Sequence, residues 1–471
     1  MERERPGPGD RPAALIVGAG IAGIQAALDI ADAGFPVYLI EREPSIGGRM
    51  AQLDKTFPTL DCSSCILTPK MVDADQHPNI TLMTYADVDS VERDGDIFHV
   101  RVRKKPRYVD PDICKGCGDC AEACRMKDRI PSAFDEGIAN RSAIYVPFPQ
   151  AVPLVYTIDP DTCLYLTRGV CGRTFKCKDA CPADAINFEQ EETFVDLDVR
   201  AIIVATGFDL IDPETQPEYG YGVYPQVMTA IEFERLSDAS GPTKGEVFVP
   251  EVDRRGNTVV GDRKPEDVVF IKCVGSRDPH TGVPYCSRVC CMYTAKHAHL
   301  IREKVPDANI TVFYMDVRAF GKGYEEFYDR VRHERVTYRR GQPSEVYRRG
   351  DRLVVLAEDT TLCRSPGREP IEVEADLVIL ATAVVPRGDV AQVAAALGID
   401  RSPDGFFQEA DLKLRPVDTN VDNIFVAGCC QSPKDIPDTV AQAKAAASSA
   451  LRALVQAREA VPAAGGPAER W

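Results

Sequence analysis

The segment Gly18-Ala-Gly20-Ile-Ala-Gly23 follows the apolar run Ala14-Leu15-Ile16-Val17 and opens a helical pattern, Ile24 to Ala33, that Gly34 ends. Val37-Tyr38-Leu39-Ile40 reads as the next strand, with Glu41 at its end. This strand–turn–helix–strand order points to a parallel α/β sheet with a dinucleotide at its first turn. The first glycine permits the tight turn, the second lets backbone approach a pyrophosphate, and the third lets helix pack on strand. The pyrophosphate belongs at the helix N-terminus, and Glu41 is placed to accept hydrogen bonds from an adenosine ribose. Composition narrows the partners. Lys and Arg number 56 against 72 Asp and Glu, a net charge of −16 that argues against a nucleic-acid backbone. With 471 residues, two or three domains are expected. No run approaches about 18 uninterrupted apolar residues, so no transmembrane helix or direct membrane insertion is expected. Met1-Glu2-Arg3-Glu4-Arg5-Pro6 lacks the apolar core of a signal peptide. A cytoplasmic, reducing location follows, in which 17 cysteines read as metal or redox groups rather than disulfides.

Beyond Glu41 the chain runs through Gly47-Gly48-Arg49, and an acid followed at this distance by Gly-Gly-Arg resembles the FAD domain of the glutathione and thioredoxin reductase superfamily. Ala201-Ile-Ile-Val-Ala205-Thr206-Gly207 reads as a buried strand ending in that superfamily's Ala-Thr-Gly turn. Asn423-Ile-Phe-Val-Ala427-Gly428 resembles its second flavin-contacting strand. The superfamily usually has Asp after that glycine, for the ribityl chain. Here it is Cys429, which with Cys430 reads as a small buried residue. The resemblance implies FAD, with Gly48, Arg49, Ala205, Thr206, Gly207 and Gly428 at the flavin.

Cys114-x2-Cys117-x2-Cys120-x3-Cys124 has the spacing that wraps a loop and one helical turn around an iron–sulfur cube. Cys163, Cys171, Cys177 and Cys181 follow, the last before Pro182, as in a two-cluster ferredoxin. In that fold the fourth cysteine of each run serves the other cluster, so Cys114, Cys117, Cys120 and Cys181 are assigned to one cube and Cys163, Cys171, Cys177 and Cys124 to the other. Structural zinc is the plainer alternative. The module reads as an insertion, because Phe98–Arg103 and Thr193–Val199 look like neighbouring strands that it separates.

A third quartet comprises Cys273, at the end of the strand Val268–Lys272, and Cys286, Cys290 and Cys291, before a helix over Met292–Ile301. The strand–loop–helix plan is that of a second dinucleotide site, but only Gly275 remains of a glycine fingerprint. A cluster in its place is one reading; buried thiols packed as small apolar side chains is the other. Cys62 and Cys65 follow Gly47-Gly48 where disulfide reductases place a redox pair, and a redox dithiol, cluster ligands and a structural role all stay open. Lys296, one turn after Cys291, is placed to set an ammonium near a flavin or to stand as a solvated helix lysine; Lys434 is a similar candidate. His297 and His299 read as structural, and Cys363 as inert.

Thr59-Leu-Asp-Cys-Ser-Ser-Cys-Ile-Leu-Thr-Pro-Lys-Met71, Cys273-Val-Gly-Ser-Arg277, Tyr285-Cys-Ser-Arg-Val-Cys-Cys-Met-Tyr293, Asp316–Phe327 and Gly428–Gln442 together resemble the heterodisulfide reductase A-subunit family, the flavin-carrying component of that enzyme. The resemblance covers about residues 12–455. It implies an α/β fold of glutathione/thioredoxin reductase type, with two Rossmann-like units and an inserted two-cluster ferredoxin domain. The expected divisions are a disordered tail over 1–11, the FAD domain over 12–103, 193–245 and 386–456, and the insertion over 104–192. A degenerate NAD-like domain occupies 246–385 and a second disordered tail 457–471. It also implies FAD, three [4Fe-4S] clusters, and electron transfer between two-electron flavin and one-electron cluster chemistry, with bifurcation as a further option. Catalytic roles fall to Cys62, Cys65 and Lys296. Implied partners are B- and C-type subunits, a hydrogenase, formate dehydrogenase or NADH module, and ferredoxin, in a hetero-oligomer. Longer family members add cluster domains at both ends that this sequence does not show, so another subunit is expected to supply at least one end of the electron route. Two alternatives remain: a stand-alone NAD(P)H- or ferredoxin-dependent disulfide reductase using Cys62 and Cys65, and a non-bifurcating quinone-interacting oxidoreductase flavin subunit.

Overall fold

The computed structural model describes residues 11–172, 174–252, 258–360 and 370–460. Its frame is a pair of five-stranded parallel sheets. In the first the order is Ile424–Val426, Ala201–Val204, Ala14–Val17, Val37–Glu41 and Ile80–Thr84. In the second it is Val227–Thr229, Leu377–Thr382, Asp267–Val274, Asn309–Tyr314 and Val336–Arg340. Ala14–Val17 and Leu377–Thr382 are buried along their whole length. A parallel strand covered on both faces needs an unbroken apolar run rather than alternation, which these sequences supply.

Each sheet has an antiparallel three-stranded companion. Ala86–Asp94, Ile97–Lys104 and Thr193–Val199 accompany the first; Pro343–Arg349, Arg352–Ala357 and Ile371–Ala375 accompany the second. Ile97–Lys104 and Thr193–Val199 pair in full register, and the residues between them leave this sheet and return. That excursion is built from two-residue strands and helices of four or five residues around a small core of Val109, Ile144, Ile158 and Ile186.

The turn after Ala14–Val17 depends on its glycines. Gly18 has φ +101°, and a Cβ there would lie 2.5 Å from the Ala205 carbonyl oxygen. At Gly23 a Cβ would lie 1.9 Å from the Gly18 oxygen, so the third glycine is required by the approach of helix to turn. The helix Ile21–Asp32 starts three residues before the expected Ile24, because Gly20 itself is its N-cap.

Other element ends also differ from expectation. The helix at the third quartet is Cys290–Lys304, so Cys290 and Cys291 form its first turn. Cys273 lies inside the strand Asp267–Val274 at a left-handed φ of +61°, where the pairing shifts register. The last helix, Ile436–Ala460, runs past residue 456, the expected end of the FAD domain. Residues 1–10 and 461–471 of the expected tails, and Cys363, lie outside the described residues. No described helix is long and apolar enough to cross a membrane.

Candidate cofactor and sulfur sites

A cavity of about 470 Å³ opens above the carboxyl ends of the first sheet's strands. Gly18, Gly20 and Glu41 line it from the first turn, Gly48 and Arg49 from the next loop, and Ala205, Thr206 and Gly207 from the third. Gly23 and Gly428 are not among the lining residues; Gly23 acts behind the turn, in the helix–strand contact. An added Cβ at Gly207 would meet nothing within 4 Å, and one at Gly20 only Gly48 Cα at 3.9 Å. No side chain caps the helix that Gly20 opens, which leaves its first-turn amides to a ligand. A cradle with bare backbone at its glycines and an uncapped helix start fits a dinucleotide.

Glu41 is buried. Its Oε2 accepts from the Ala19 amide at 2.8 Å and its Oε1 from the Glu43 amide at 3.0 Å. Burial pushes its carboxyl up, against those two donors. Each carboxylate oxygen has two acceptor directions, so capacity for a ribose hydroxyl remains. Arg49 pairs with Glu136 at 2.6 Å rather than standing free.

That pairing brings in a contribution the sequence did not reveal. Residues of the excursion, among them Phe134, Arg141, Tyr145 and Phe148, wall one side of the cavity. Phe134 and Phe148 stack at 4.6 Å, and Gln52 Nε2 donates to the Phe134 carbonyl at 2.8 Å. Arg235, fully buried, pairs with Asp135 at 3.1 Å and lies over the Phe134 ring.

Lys296 and His297, also in the cavity lining, meet Glu234, and all three are buried. Lys296 Nζ donates to Glu234 and to the Lys55 carbonyl, the latter at 2.8 Å. His297 Nε2 lies 2.5 Å from Glu234 Oε1, while its Nδ1 has no partner. The Asp54 amide donates to Glu234 Oε2 at 3.1 Å. Burial pushes the Glu234 carboxyl up, but Lys296 and His297 outweigh it and hold it at about 2. Burial pulls the His297 imidazole below its usual range. Lys296 is therefore a paired, buried cation rather than a solvated lysine. Glu234 is absent from any local motif; its partners are more than 60 positions away. His299 bonds Glu334 at 2.7 Å. Lys434 also lines the cavity, where Ser432 Oγ accepts from it at 2.8 Å and burial pulls its ammonium down. Cys429 shares the lining, and Cys430 is buried behind it.

The sulfurs gather in groups. Cys124, Cys163, Cys171 and Cys177 wall one small cavity. Burial pushes the Cys177 thiol up to about 11, and its charged neighbours are Cys124, Cys163 and Cys171. Burial likewise pushes Cys120 up to about 12, with Cys114, Cys181 and Cys117 adding to the rise. The structure thus sets Cys124 beside the later run and Cys181 beside the earlier one. Among the described residues no three His, Cys, Asp or Glu side chains converge as on a single ion; the second group surrounds a space instead.

Cys273, Cys290 and Cys291, all free thiols, form the third group, with Cys290 hydrogen-bonded to the other two. The Cys290 bond holds Cys291 down at about 5 against burial, with Lys272 assisting. Cys286 sits nearby, its sulfur accepting from the Arg288 amide at 3.3 Å, and the Arg277 guanidinium faces both it and Cys273. Lys272, missed in the sequence, is 1% exposed and has no carboxylate partner among the described residues. It donates to the Asp316 carbonyl at 3.4 Å and lies 5.6 Å from the Tyr314 ring centre. A buried Lys side chain is stable beside groups that share its charge, and Cys273 and Cys291, both held down in part by Lys272, are the neighbours present. A lysine inside the apolar run Val268-Val-Phe-Ile-Lys-Cys273 was the available signal.

Cys62 caps the helix Ser63–Gln76, accepting from the Cys65 amide at 3.3 Å. Cys65 is exposed, and neither cysteine lines the cavity.

Comparison with known proteins decides the family. An iron–sulfur A-subunit of CoB–CoM heterodisulfide reductase from Methanopyrus kandleri is 54% identical over 95% of this chain and 65% of its own length. This chain belongs to the heterodisulfide reductase A-subunit family. The A-subunit of the H(2):CoB-CoM heterodisulfide,ferredoxin reductase of Methanothermobacter marburgensis is 48% identical over 94% of this chain and 64% of its own. The chain thus spans a little under two thirds of these family members. Residues 14–59 match the family described as FAD dependent oxidoreductase. In fold it is similar to the thioredoxin reductases of Lactococcus lactis and T. acidophilum, each with TM-score 0.50 and 14% identity. They cover 95% and 94% of this chain, and 100% and 98% of their own chains.

Proposed function

We propose that this chain is the FAD- and iron–sulfur-containing electron-transfer subunit of a heterodisulfide reductase-like oxidoreductase complex in the cytoplasm. The observation that carries this reading is a convergence. Val289 and Tyr293, which flank Cys290 and Cys291, line the same cavity as the glycine turn and the excursion. A flavin bound there would supply exchange of electron pairs, and cubes held by the sulfur groups would supply single-electron transfer.

The chain's own residues have definable tasks. Gly18, Gly20 and Glu41 would bind and orient the nucleotide half, and Gly207 leaves room for the ring. Lys296, held by Glu234 and the Lys55 carbonyl, sets a fixed N–H donor on the cavity wall whose charge Glu234 balances, suited to a hydrogen bond to a bound ring. Cys114, Cys117, Cys120 and Cys181 would hold one cube, Cys124, Cys163, Cys171 and Cys177 the second, and Cys273, Cys286, Cys290 and Cys291 the third. Lys434 is assigned to the flavin's polar edge.

Names of relatives that join a heterodisulfide to ferredoxin support the finer reading that electron pairs are split between two acceptors. The same names carry H(2), formate and the word subunit; the partners proposed on that basis are B- and C-type subunits, a hydrogenase or formate dehydrogenase module, and ferredoxin. The stand-alone disulfide reductase loses support because Cys62 and Cys65 lie off the cavity. Anoxic purification followed by stepwise reduction tests the proposal. Bleaching of a flavin band together with reduced-cubane signals is expected, and a colourless protein would overturn it.

A further inference from the structure

Two thiols stand apart from the sulfur groups assigned to cubes. Cys62 and Cys65 are free and lie off the cavity, and Cys65 is exposed. They hold the N-cap and third positions of the helix Ser63–Gln76, the two places whose side chains meet across the first turn in a capping box. Sulfur fills both. The Cys62 sulfur accepts from the Cys65 amide at 3.3 Å, and the Cys65 thiol is hydrogen-bonded to Cys62 as well. That second bond pushes the Cys65 thiol up, with Lys55 pulling against it. Two donors converge on one sulfur, so Cys62 is set to attack and Cys65 to resolve. The next residue, Ile66, is 43% exposed and gives the pair an apolar border open to solvent.

The same backbone reaches the cavity. Residues 54–56 run beside 61–63: the Thr56 amide donates to the Asp61 carbonyl at 2.9 Å, and the Ser63 amide to the Asp54 carbonyl at 3.0 Å. Between those bonds Lys55 and Cys62 form an antiparallel bridge. This segment also holds the buried charges of the cavity. The Lys55 carbonyl accepts from Lys296 at 2.8 Å, and the Asp54 amide donates to Glu234 at 3.1 Å. Lys55 and Thr56 are themselves in the lining. One short ribbon therefore joins Cys62 to Lys296, and a displacement of either is carried to the other by hydrogen-bonded backbone.

We propose that Cys62 and Cys65 form a surface thiol–disulfide exchange site for an external disulfide, and that closing the pair shifts Lys296 in the cavity. The exchange stands on the pair alone; its effect on a flavin rests on the reading that the cavity holds FAD. The Cys62 thiolate attacks one sulfur of the incoming disulfide, forms a mixed disulfide and expels the first thiolate. Cys65 gives up its proton, attacks the Cys62 sulfur and expels the second. The pair is oxidised by two electrons and the incoming disulfide is reduced to two thiols, which take up the two cysteine protons. An external dithiol reverses the step, so no electron from a flavin is needed.

The test treats the anoxic holoprotein with bis(2-hydroxyethyl) disulfide and, in a second arm, with oxidised thioredoxin. Non-reducing tryptic mapping should then show the peptide Thr56–Lys70 lighter by two hydrogens, with two thiols released per chain. Reaction in the first arm alone assigns the site to small disulfides, and in the second alone to protein-borne ones. Either supports the exchange; reaction in neither overturns it. Cys65→Ser should stop at the mixed disulfide with one thiol released, and Cys62→Ser should react about tenfold more slowly. The flavin absorption band should shift as the pair closes and return on adding dithiothreitol, and in Cys62→Ser/Cys65→Ser it should not respond. Exchange with an unmoved flavin band would overturn the link to Lys296 and leave the exchange standing. Protein isolated without flavin would overturn the FAD reading, again without touching the exchange. Iron released as the pair closes would make the two cysteines cluster ligands and overturn the proposal.

Discussion

The two parallel sheets carry the same strand–turn–helix, yet their turns hold different things. In the first unit the strand Ala14–Val17 ends at Gly18, φ +101°, and the helix opens at once with bare amides. In the second, Cys273 takes a left-handed φ of +61°, a long loop follows, and the helix opens with Cys290 and Cys291. Sulfur stands where the first unit keeps backbone free for phosphate. One scaffold thus builds two different turns at equivalent positions, and Gly18 and Gly20 of the first and Val289 and Tyr293 of the second line one cavity. The side chains differ in charge management as well. In the first turn an acid, Glu41, takes two amides; in the second a basic side chain, Lys272, lies beside Cys291 and helps hold its thiol down.

The sharpest way to break this comparison is to put a side chain into the first turn. Gly18→Val would push against the Ala205 carbonyl at an unfavourable φ. It should cost about 3 kcal/mol and abolish flavin retention, read by thermal unfolding and by flavin absorbance. The wall shared by both units comes next. Lys296→Met would leave Glu234 buried without its cation and should cost about 3 kcal/mol. Glu234 is depressed to about 2 from 4.5, so its contribution is fully present above pH 4.5 and is lost as pH falls toward 2. The variant's acid limb of stability against pH should therefore be flatter than that of the wild type; an unchanged limb would sever Lys296 from Glu234.

Smaller effects sharpen the second turn. Lys272→Met removes a positive charge beside Cys291, so the midpoint potential of the third cube, followed by EPR, should become more negative while iron content holds. Cys65→Ser should do least. Off the cavity, it should leave flavin and iron content unchanged, and loss of either on elemental analysis would return Cys62 and Cys65 to the cofactor sites.

Much of this was legible in the sequence because the constraints are local. The glycine turn, the sulfur runs and the strands around them each depend on residues a few positions apart. What stayed hidden depends on folding at long range. Glu234 meets Lys296 and His297 only because two helices pack side by side. Phe134 and Phe148 reach the dinucleotide cavity only because Gln52, Arg49 and Arg235 tether their loop. Lys272 read only as the last residue of a strand, and its place beside Cys291 depends on the fold. The placement of Cys62 and Cys65 off the cavity could not be read either, since sequence distance from Gly48 does not say which way their helix turns.

A third sulfur group lying beside a flavin is the central claim, and the most direct test is the ratio of iron to FAD in protein isolated without oxygen. Three cubes and one flavin give about 12 iron atoms per FAD. About 8 would remove the third cube and with it the link between the two sheets, and zinc in place of iron would contradict the redox account altogether.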